Sequence, residues 1–438
     1  MTFVFGSVIR RKISPTGLRL CRHSSKFDRL NWKYLSDPQN TSDIKENISR
    51  RKGVGNIDEV LHLKSKYDCA NADEKDVIRK RLLREALRIP NVSHSSLNQN
   101  EGSPVEVKKS GTRKKYDFRP ASFEILSKRW SLTRTDSSVY TGPRSYYLLD
   151  QLADLEAALV DYAVDLLQSR GFRLVSVPDV LPREIIEDCG MDTRGVRSQV
   201  YTLGGDLADQ DLCLSGTAEM GISFLLKDQK FQSEDLPRRI AAVSRCYRAE
   251  TSKISEEKGI YRVHQFTKVE MYGVYLPEDS AQGLLDFRDI QEEFFNSLGL
   301  ELQILDMPEC ELGAQAQRKF DIEAYFPGKD MWGELSSASD CTDYQSRRLN
   351  ITYDSGRFAH TINGTACAIP RTIVAIMETH QCKDGTVLVP KCLVPYLGYD
   401  VIANSRLPKI TPFKIKRKPV KSNTQNSYSE EQLSGSHK

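Results

Sequence analysis

The chain holds 438 residues, 28% of them charged, with a formal net charge of +4. That length allows two or three domains and a real core, and so small a net charge excludes nucleic-acid binding by global excess, leaving only local patches. No apolar run approaches the roughly 18 residues of a membrane span, and ten scattered cysteines form no CxxC or short metal-type pair, so no membrane partner and no cysteine zinc site are expected, and the thiols read as reduced and intracellular.

The first 27 residues carry Arg10, Arg11, Lys12, Arg19, Arg22 and Lys26, with no acid before Asp28 and with serines interspersed. This reads as a mitochondrial transit peptide, which predicts a location in the mitochondrial matrix. Residues 28–56 are polar and glycine-interrupted, and read as loosely folded. A short helix is expected over 57–67. Asn71 with Glu74 resembles a capping box, opening a second helix over about 72–88 with Ile78, Leu82, Ala86 and Ile89 at helical spacing. Its outer faces carry Lys75, Arg79, Lys80, Arg81, Arg84 and Arg88, a surface for phosphates or simply a solvated face. Residues 91–117, rich in Ser, Asn, Gly and Lys, read as a linker, so 28–117 is a short helical arm plus linker.

A dense globular domain follows, over 118–407. Leu148, Leu152, Leu155, Leu159, Tyr162 and Leu166 predict a long amphipathic helix over about 145–169, which Gly171 ends. A short strand surrounds Pro178. Thr217 and Glu219 sit just before an apolar run. Residues 239–275 carry the strongest local signal: two alternating stretches around a polar loop, Thr251 to Lys258, read as an antiparallel strand pair. One face of that pair carries Arg248, Arg262, Phe266 and Glu270, with Glu250 where the loop begins. A solvated sheet face is one reading. A nucleotide site is the other, because arginine forks match phosphate, an aromatic ring stacks on a base and a carboxylate accepts from a base amino group. A helix is expected over 280–298, and strands over 301–307 and 320–325. A polar strand follows with Glu334 and Ser337, then a strand ending near Asn363. The last helix starts near Ile369, with Pro370 and Arg371 in its first turn, where the helix dipole favours an anion. Beyond Leu407 a basic tail, 408–438, is expected to be disordered.

Taken in order, RCYRAE with RVHQFTKVE, TAE at 217–219, SASDCTDYQSRRL, NGTACAIPRTIVAIMETHQ and LRIPN resemble the class II aminoacyl-tRNA synthetases, and among them the seryl-tRNA synthetases, in a mitochondrial form. The resemblance covers roughly 85–405. It implies an α+β fold, an antiparallel sheet flanked by helices with an N-terminal helical arm, and ligation of serine to tRNA(Ser) from ATP through a seryl-adenylate. It implies Arg248 on the α-phosphate and the serine carboxylate, Arg262 and Arg371 on the γ-phosphate, Phe266 stacked on adenine and Glu250 on its amino group. Glu334 and Ser337 would be ligands of Mg2+. Thr217, Glu219, Glu270, Asn363 and Thr365 would line the serine pocket. A homodimer is implied, with a heterodimer with a paralogue also open. Singly, these residues have plainer readings: Arg371 a helix-surface residue, Ser337 a turn residue, Phe266 core.

Three departures from the family pattern stand out: a short arm, Asp340 where Asn is usual, and Thr365 where Ser is common. They open a second class of function, a catalytically inactive paralogue acting by RNA or partner binding. A nucleotide-binding module without a tRNA role is a third.

Overall fold

Alternation in 238–247 and 265–275 produces the strand pair that the sequence predicts, with Ala242 opposite Glu270 and Cys246 opposite Phe266. The structure is a computed structural model and describes residues 25–99, 102–135, 144–195, 198–205, 210–250, 259–403 and 407. Most of the expected transit peptide, the Thr251–Lys258 loop and the 408–438 tail lie outside the described residues.

The pair sits inside an eight-stranded sheet of β1 (Val105–Ser110), β2 (Arg173–Val175), β3 (Arg238–Tyr247), β4 (Gln265–Tyr275), β5 (Leu302–Asp306), β6 (Arg318–Phe326), β7 (Met331–Thr342) and β8 (His360–Ala368). The spatial order is β1-β5-β6-β7-β8-β4-β3-β2. Every neighbouring pair is antiparallel except β2 with β3. The principal helices are α1 (Thr41–Arg50), α2 (Ile57–Cys69), α3 (Ala72–Leu87), α4 (Gln151–Ser169), α5 (Ala218–Leu226), α6 (Ser280–Ser297) and α7 (Ile369–Thr379). Gly171 follows α4 with φ +83, the left-handed turn that stops a helix cheaply only at glycine. Pro370 lies in the first turn of α7, where a missing N–H costs nothing. Among the described residues no helix is long and apolar enough to cross a membrane.

One sheet face is covered by α4, α6 and α7. Their Leu155, Leu159, Phe287, Phe294, Phe295, Ile373 and Ile376 pack on Val269, Met271, Ile304, Ile322, Ala338 and Ile362. Successive residues of a strand point to opposite faces, so the alternate residues of the same strands, Lys268, Glu270, Ser337, Ser339, Asn363 and Thr365, lie on the other face and build the site.

Two readings of the N-terminal third change. Residues 28–56 are folded, not loose: α1 and two shorter helices place Phe27, Leu30, Leu35, Ile44 and Ile48 in one buried cluster with Ile57, Val60, Leu63, Leu82, Ala86 and Ile89. Apart from the exposed Val54, the few apolar residues are all used, Ile44 and Ile48 one turn apart on a single face, while the rest of the segment is polar because it faces water or the sheet domain. The supposed linker supplies β1, the outermost strand of the sheet. Its Val105 and Val107 are 43% and 47% exposed, so it buries no apolar face, and its alternation, Val-Glu-Val-Lys, is only two apolar residues long; its lysines suit a strand edge facing solvent.

Polar clamps join the arm to the sheet domain. Lys26 Nζ pairs with Asp188 at 2.7 Å and Glu184 at 2.5 Å. Arg29 Nε and Nη2 donate to the Arg347 and Arg348 carbonyls. Arg51 donates to the Asn91 carbonyl at 2.6 Å and to that of Gly313, and Asn91 Nδ2 reaches the Gln315 and Cys341 carbonyls at 2.8 and 2.9 Å.

Candidate active site

Two cavities open on the polar sheet face. The first, of about 130 Å³, is lined by Arg248, Glu250, Tyr261, Arg262, Phe266, Glu334, Ser336, Ser337 and Arg371 among others. The second, of about 440 Å³, has Thr217, Glu219, Glu270, Asn363 and Thr365 on its wall. Arg248, Lys268, Ser337 and Thr365 line both. The structure therefore gathers all twelve residues singled out in the sequence, drawn from positions 217 to 371, around two adjoining spaces.

In the first cavity, Arg371 is anchored at three points. Its Nη1 donates to the Glu334 carbonyl at 2.9 Å and to Glu334 Oε2 at 3.1 Å, and its Nε to the Tyr261 carbonyl at 3.2 Å. The guanidinium also lies over the Tyr261 ring, 4.5 Å from its centroid. Burial works against the Glu334 charge, but Arg371 and Lys319 outweigh it and hold the carboxyl well below its usual range. Phe266 faces Arg248, whose guanidinium carbon lies 5.4 Å from the ring centroid. Glu250, buried, receives Gln199 Nε2 at 3.2 Å and sits 3.7 Å from Arg262 Nη1. Arg248 Nε is buried with no hydrogen-bond partner, a donor that an anion in the cavity would satisfy.

Glu334 and Ser337 are three residues apart on β7, a spacing that puts two side chains on opposite faces of a regular strand. The β6–β7 register shifts here, with Ile322 opposite Ser336 but Glu323 opposite Glu334. The irregularity leaves Leu335 as an extra residue and brings Glu334 and Ser337 to the same cavity. A carboxylate and a hydroxyl are hard oxygen donors of the kind Mg2+ takes beside substrate phosphates, so the pair fits that ion.

The second cavity has a charged floor. Glu270 Oε1 accepts from Thr217 Oγ1 at 3.0 Å and Thr365 Oγ1 at 2.9 Å, and pairs with Lys268. Glu219 Oε1 accepts from Gln345 Nε2 at 2.6 Å and Asn363 Nδ2 at 2.7 Å. Burial pushes the Glu219 carboxyl up to about 7, and neighbouring Glu270 adds to the shift. Two carboxylates at the end of a cleft suit an ammonium, with hydroxyls beside them for a small polar side chain.

The sequence reading missed three contributors. Lys268 sits two residues before Glu270, so its place on the same face was legible. Tyr261 carries no local signal, and Gln345, at the start of the helix Tyr344–Leu349, reaches Glu219 only through the tertiary fold. His264 has Nδ1 2.9 Å from both the Tyr201 hydroxyl and the Arg248 carbonyl. Asp340 lines neither cavity. It lies buried, accepting from Thr342 N at 2.8 Å.

Comparison with known proteins decides the family. Residues 201–380 match the tRNA synthetase class II core domain (G, H, P, S and T). The chain is 36% identical over 374 residues to the serine--tRNA ligase of Treponema denticola, covering 83% of this chain and 87% of that one. It belongs to the seryl-tRNA synthetase family. It is also 43% identical over 333 residues to the mitochondrial serine--tRNA ligase of Mus musculus, covering 74% of this chain but only 64% of that relative's length. The crystal structure of seryl-tRNA synthetase from Pyrococcus horikoshii complexed with ATP superposes with a TM-score of 0.75 at 27% identity, covering 86% of this chain and 99% of that one. The α+β fold of a class II synthetase, read from the motifs, is thereby established.

Proposed function

We propose that the protein joins serine to the serine tRNAs of the mitochondrion, through a seryl-adenylate. The observation that supports this best is the wall that the two cavities share. A nucleotide in the first would bring its α-phosphate to Arg248, and an amino acid in the second would bring its carboxylate to the same side chain. The carboxylate oxygen attacks the α-phosphorus, and pyrophosphate leaves. The tRNA 3′-terminal hydroxyl then attacks the seryl carbonyl, and AMP leaves. No protein nucleophile is needed; positioning and charge neutralisation supply the rate.

In this reading Arg248 neutralises the α-phosphate and the attacking carboxylate with its unpartnered Nε. Arg262 and Arg371 hold the γ-phosphate, Phe266 stacks on adenine, and Glu250 accepts from the adenine amino group. Glu334 and Ser337 would hold Mg2+, which when bound neutralises phosphate charge. Glu219 and Glu270 take the serine ammonium and hydroxyl, with Thr217, Asn363 and Thr365 around them. Alanine is rejected because it would leave these buried groups unpaired. ATP as the nucleotide is supported by the relative solved with it, and a mitochondrial location by the mitochondrial relative and the basic N-terminus. A homodimer through the stretch around Pro178 is part of the proposal: Leu174 and Val180 there are each 45% exposed.

Serine-dependent exchange of pyrophosphate into ATP, with alanine and threonine as controls, tests the first step. Exchange with serine alone is expected. A folded protein without exchange would sink the reading in favour of an inactive paralogue that binds RNA or a partner.

A further inference from the structure

The second cavity is much larger than its floor needs. A serine on Glu219 and Glu270 would leave most of the 440 Å³ open, out to a mouth formed by the arm, where Lys52, Val54 and Arg88 line the wall. Two pieces of the arm meet there. The turn after α1 has glycines with φ +67 at Gly53 and +106 at Gly55, and a Cβ on Gly55 would stand 3.0 Å from the Arg88 carbonyl. The turn can therefore close onto the C-terminal end of α3 only with glycine at that point. The closure sets the Lys52 and Arg88 cations beside one cavity, with Val54, 51% exposed, between them in the chain.

The chemistry of the mouth differs from that of the floor. Among the described residues Lys52 makes no ion pair; Glu311, which lines the same cavity, offsets part of the burial that lowers its pKa. Among the described residues Arg88 pairs only with Glu85, in the last turn of α3, at 3.4 Å. Asp192, also on the cavity wall, accepts from the backbone N–H groups of Arg194 and Gly195. Two underused cations and an exposed apolar side chain leading to a reactive carbonyl suit an unpaired nucleotide: phosphates on the cations, a base on the apolar surface.

We propose that Lys52, Val54 and Arg88 receive the unpaired 3′ end of the tRNA, steering its terminal hydroxyl to the seryl group at the floor. The inference rests on the proposed function and deepens it: the short arm acts at its own chain's active-site mouth.

The test is Lys52→Ala/Arg88→Ala, two exposed positions where alanine leaves the core intact. Binding of a serine-tRNA transcript, with and without its unpaired 3′ nucleotides, is followed by fluorescence anisotropy over a salt series. The unaltered protein should bind the complete transcript more tightly. The double variant should lose that preference, weakening for the complete transcript about five- to tenfold with a salt slope shallower by about one to two. Equal binding of both transcripts by the unaltered protein, or a preference that survives in the variant, would overturn the inference. Pyrophosphate exchange separates the two readings: absence in the unaltered protein strikes the proposed function, whereas absence in the variant alone places the mouth in adenylate formation and overturns the inference.

Discussion

Arg248 and Glu219 show how single side chains set the chemistry. Arg248 is held from its backbone, with its N–H donating to the His264 carbonyl at 2.9 Å, while Nε is left without a partner inside the cavity. A donor preorganised toward charge that develops in the transition state is worth several kcal/mol. Arg248→Ala should therefore cut serine-dependent exchange by at least about a hundredfold without unfolding the protein; near-normal exchange would remove Arg248 from the site. Glu219 makes a prediction about pH. Its folded-state pKa of about 7 lies above the ordinary carboxylate value of 4.5, because burial opposes the charge. The folded state thus holds the proton more tightly than the unfolded one, and stability falls as pH rises from about 4.5 to about 7. Glu219→Gln in the absence of serine should be the more stable protein at pH 8, by up to roughly 3 kcal/mol, and no more stable at pH 4; equal melting at pH 8 would contradict a buried charge. Serine's ammonium needs the ionised form, so KM for serine should rise about tenfold between pH 8 and pH 6.

Individual elements place these groups. The register shift on β7 is what lets Glu334 and Ser337 share a cavity, and no composition signal marks Leu335 as the extra residue. The edge strand β1 is equally quiet in sequence, yet its end is fixed tightly. Gly111 has φ +76, and a Cβ there would stand 2.1 Å from the Leu300 carbonyl. Both the backbone conformation and the contact exclude a side chain. Gly111→Ala should cost at least about 2 kcal/mol, read as a lower denaturation midpoint with unchanged active-site residues. A midpoint within error of the unaltered protein would show that β1 is not part of the cooperative fold. Helices were easier to read. Repeating leucines, the Asn71 cap and Pro370 are local signals; Asn71 Oδ1 accepts from the N–H groups of Asp73 and Glu74 at 3.1 Å, the Asn71 half of the expected capping box.

For the whole molecule, the arm and the sheet domain behave as one unit. Lys26 is 14% exposed and its partner Asp188 3%, so removing the lysine leaves a buried carboxylate; burial already raises Asp188 to about 6 despite that cation. Phe27 packs in the arm cluster against Trp32 and Tyr67. A chain starting at Ser25 should melt like the full-length protein. One starting at Asp28, the boundary suggested by charge alone, should lose about 3–5 kcal/mol. Equal melting of the two would show that the arm is held without Lys26 and Phe27.

The amino-acid sequence by itself determined the helices α4, α6 and α7, the strand pair β3 and β4 and most of β5 to β8, though not α5, β1 or the break at Pro178, where the expected strand is replaced by short strands on either side, and it contained the motifs whose order points to the family. These follow from local periodicity, caps and turns, which act over a few residues. Only the tertiary structure decided what needs distant segments to meet. It set Glu219 between Gln345 and Asn363, Glu270 between Thr217 and Thr365, and Arg371 across from Tyr261 and Glu334. It also folded 25–56, where sparse isoleucines pack on the helices of 57–89 and the Lys26 and Arg29 clamps reach residues more than a hundred positions away. Such contacts leave no period in the chain, because their spacing is set by the sheet and not by the segment itself.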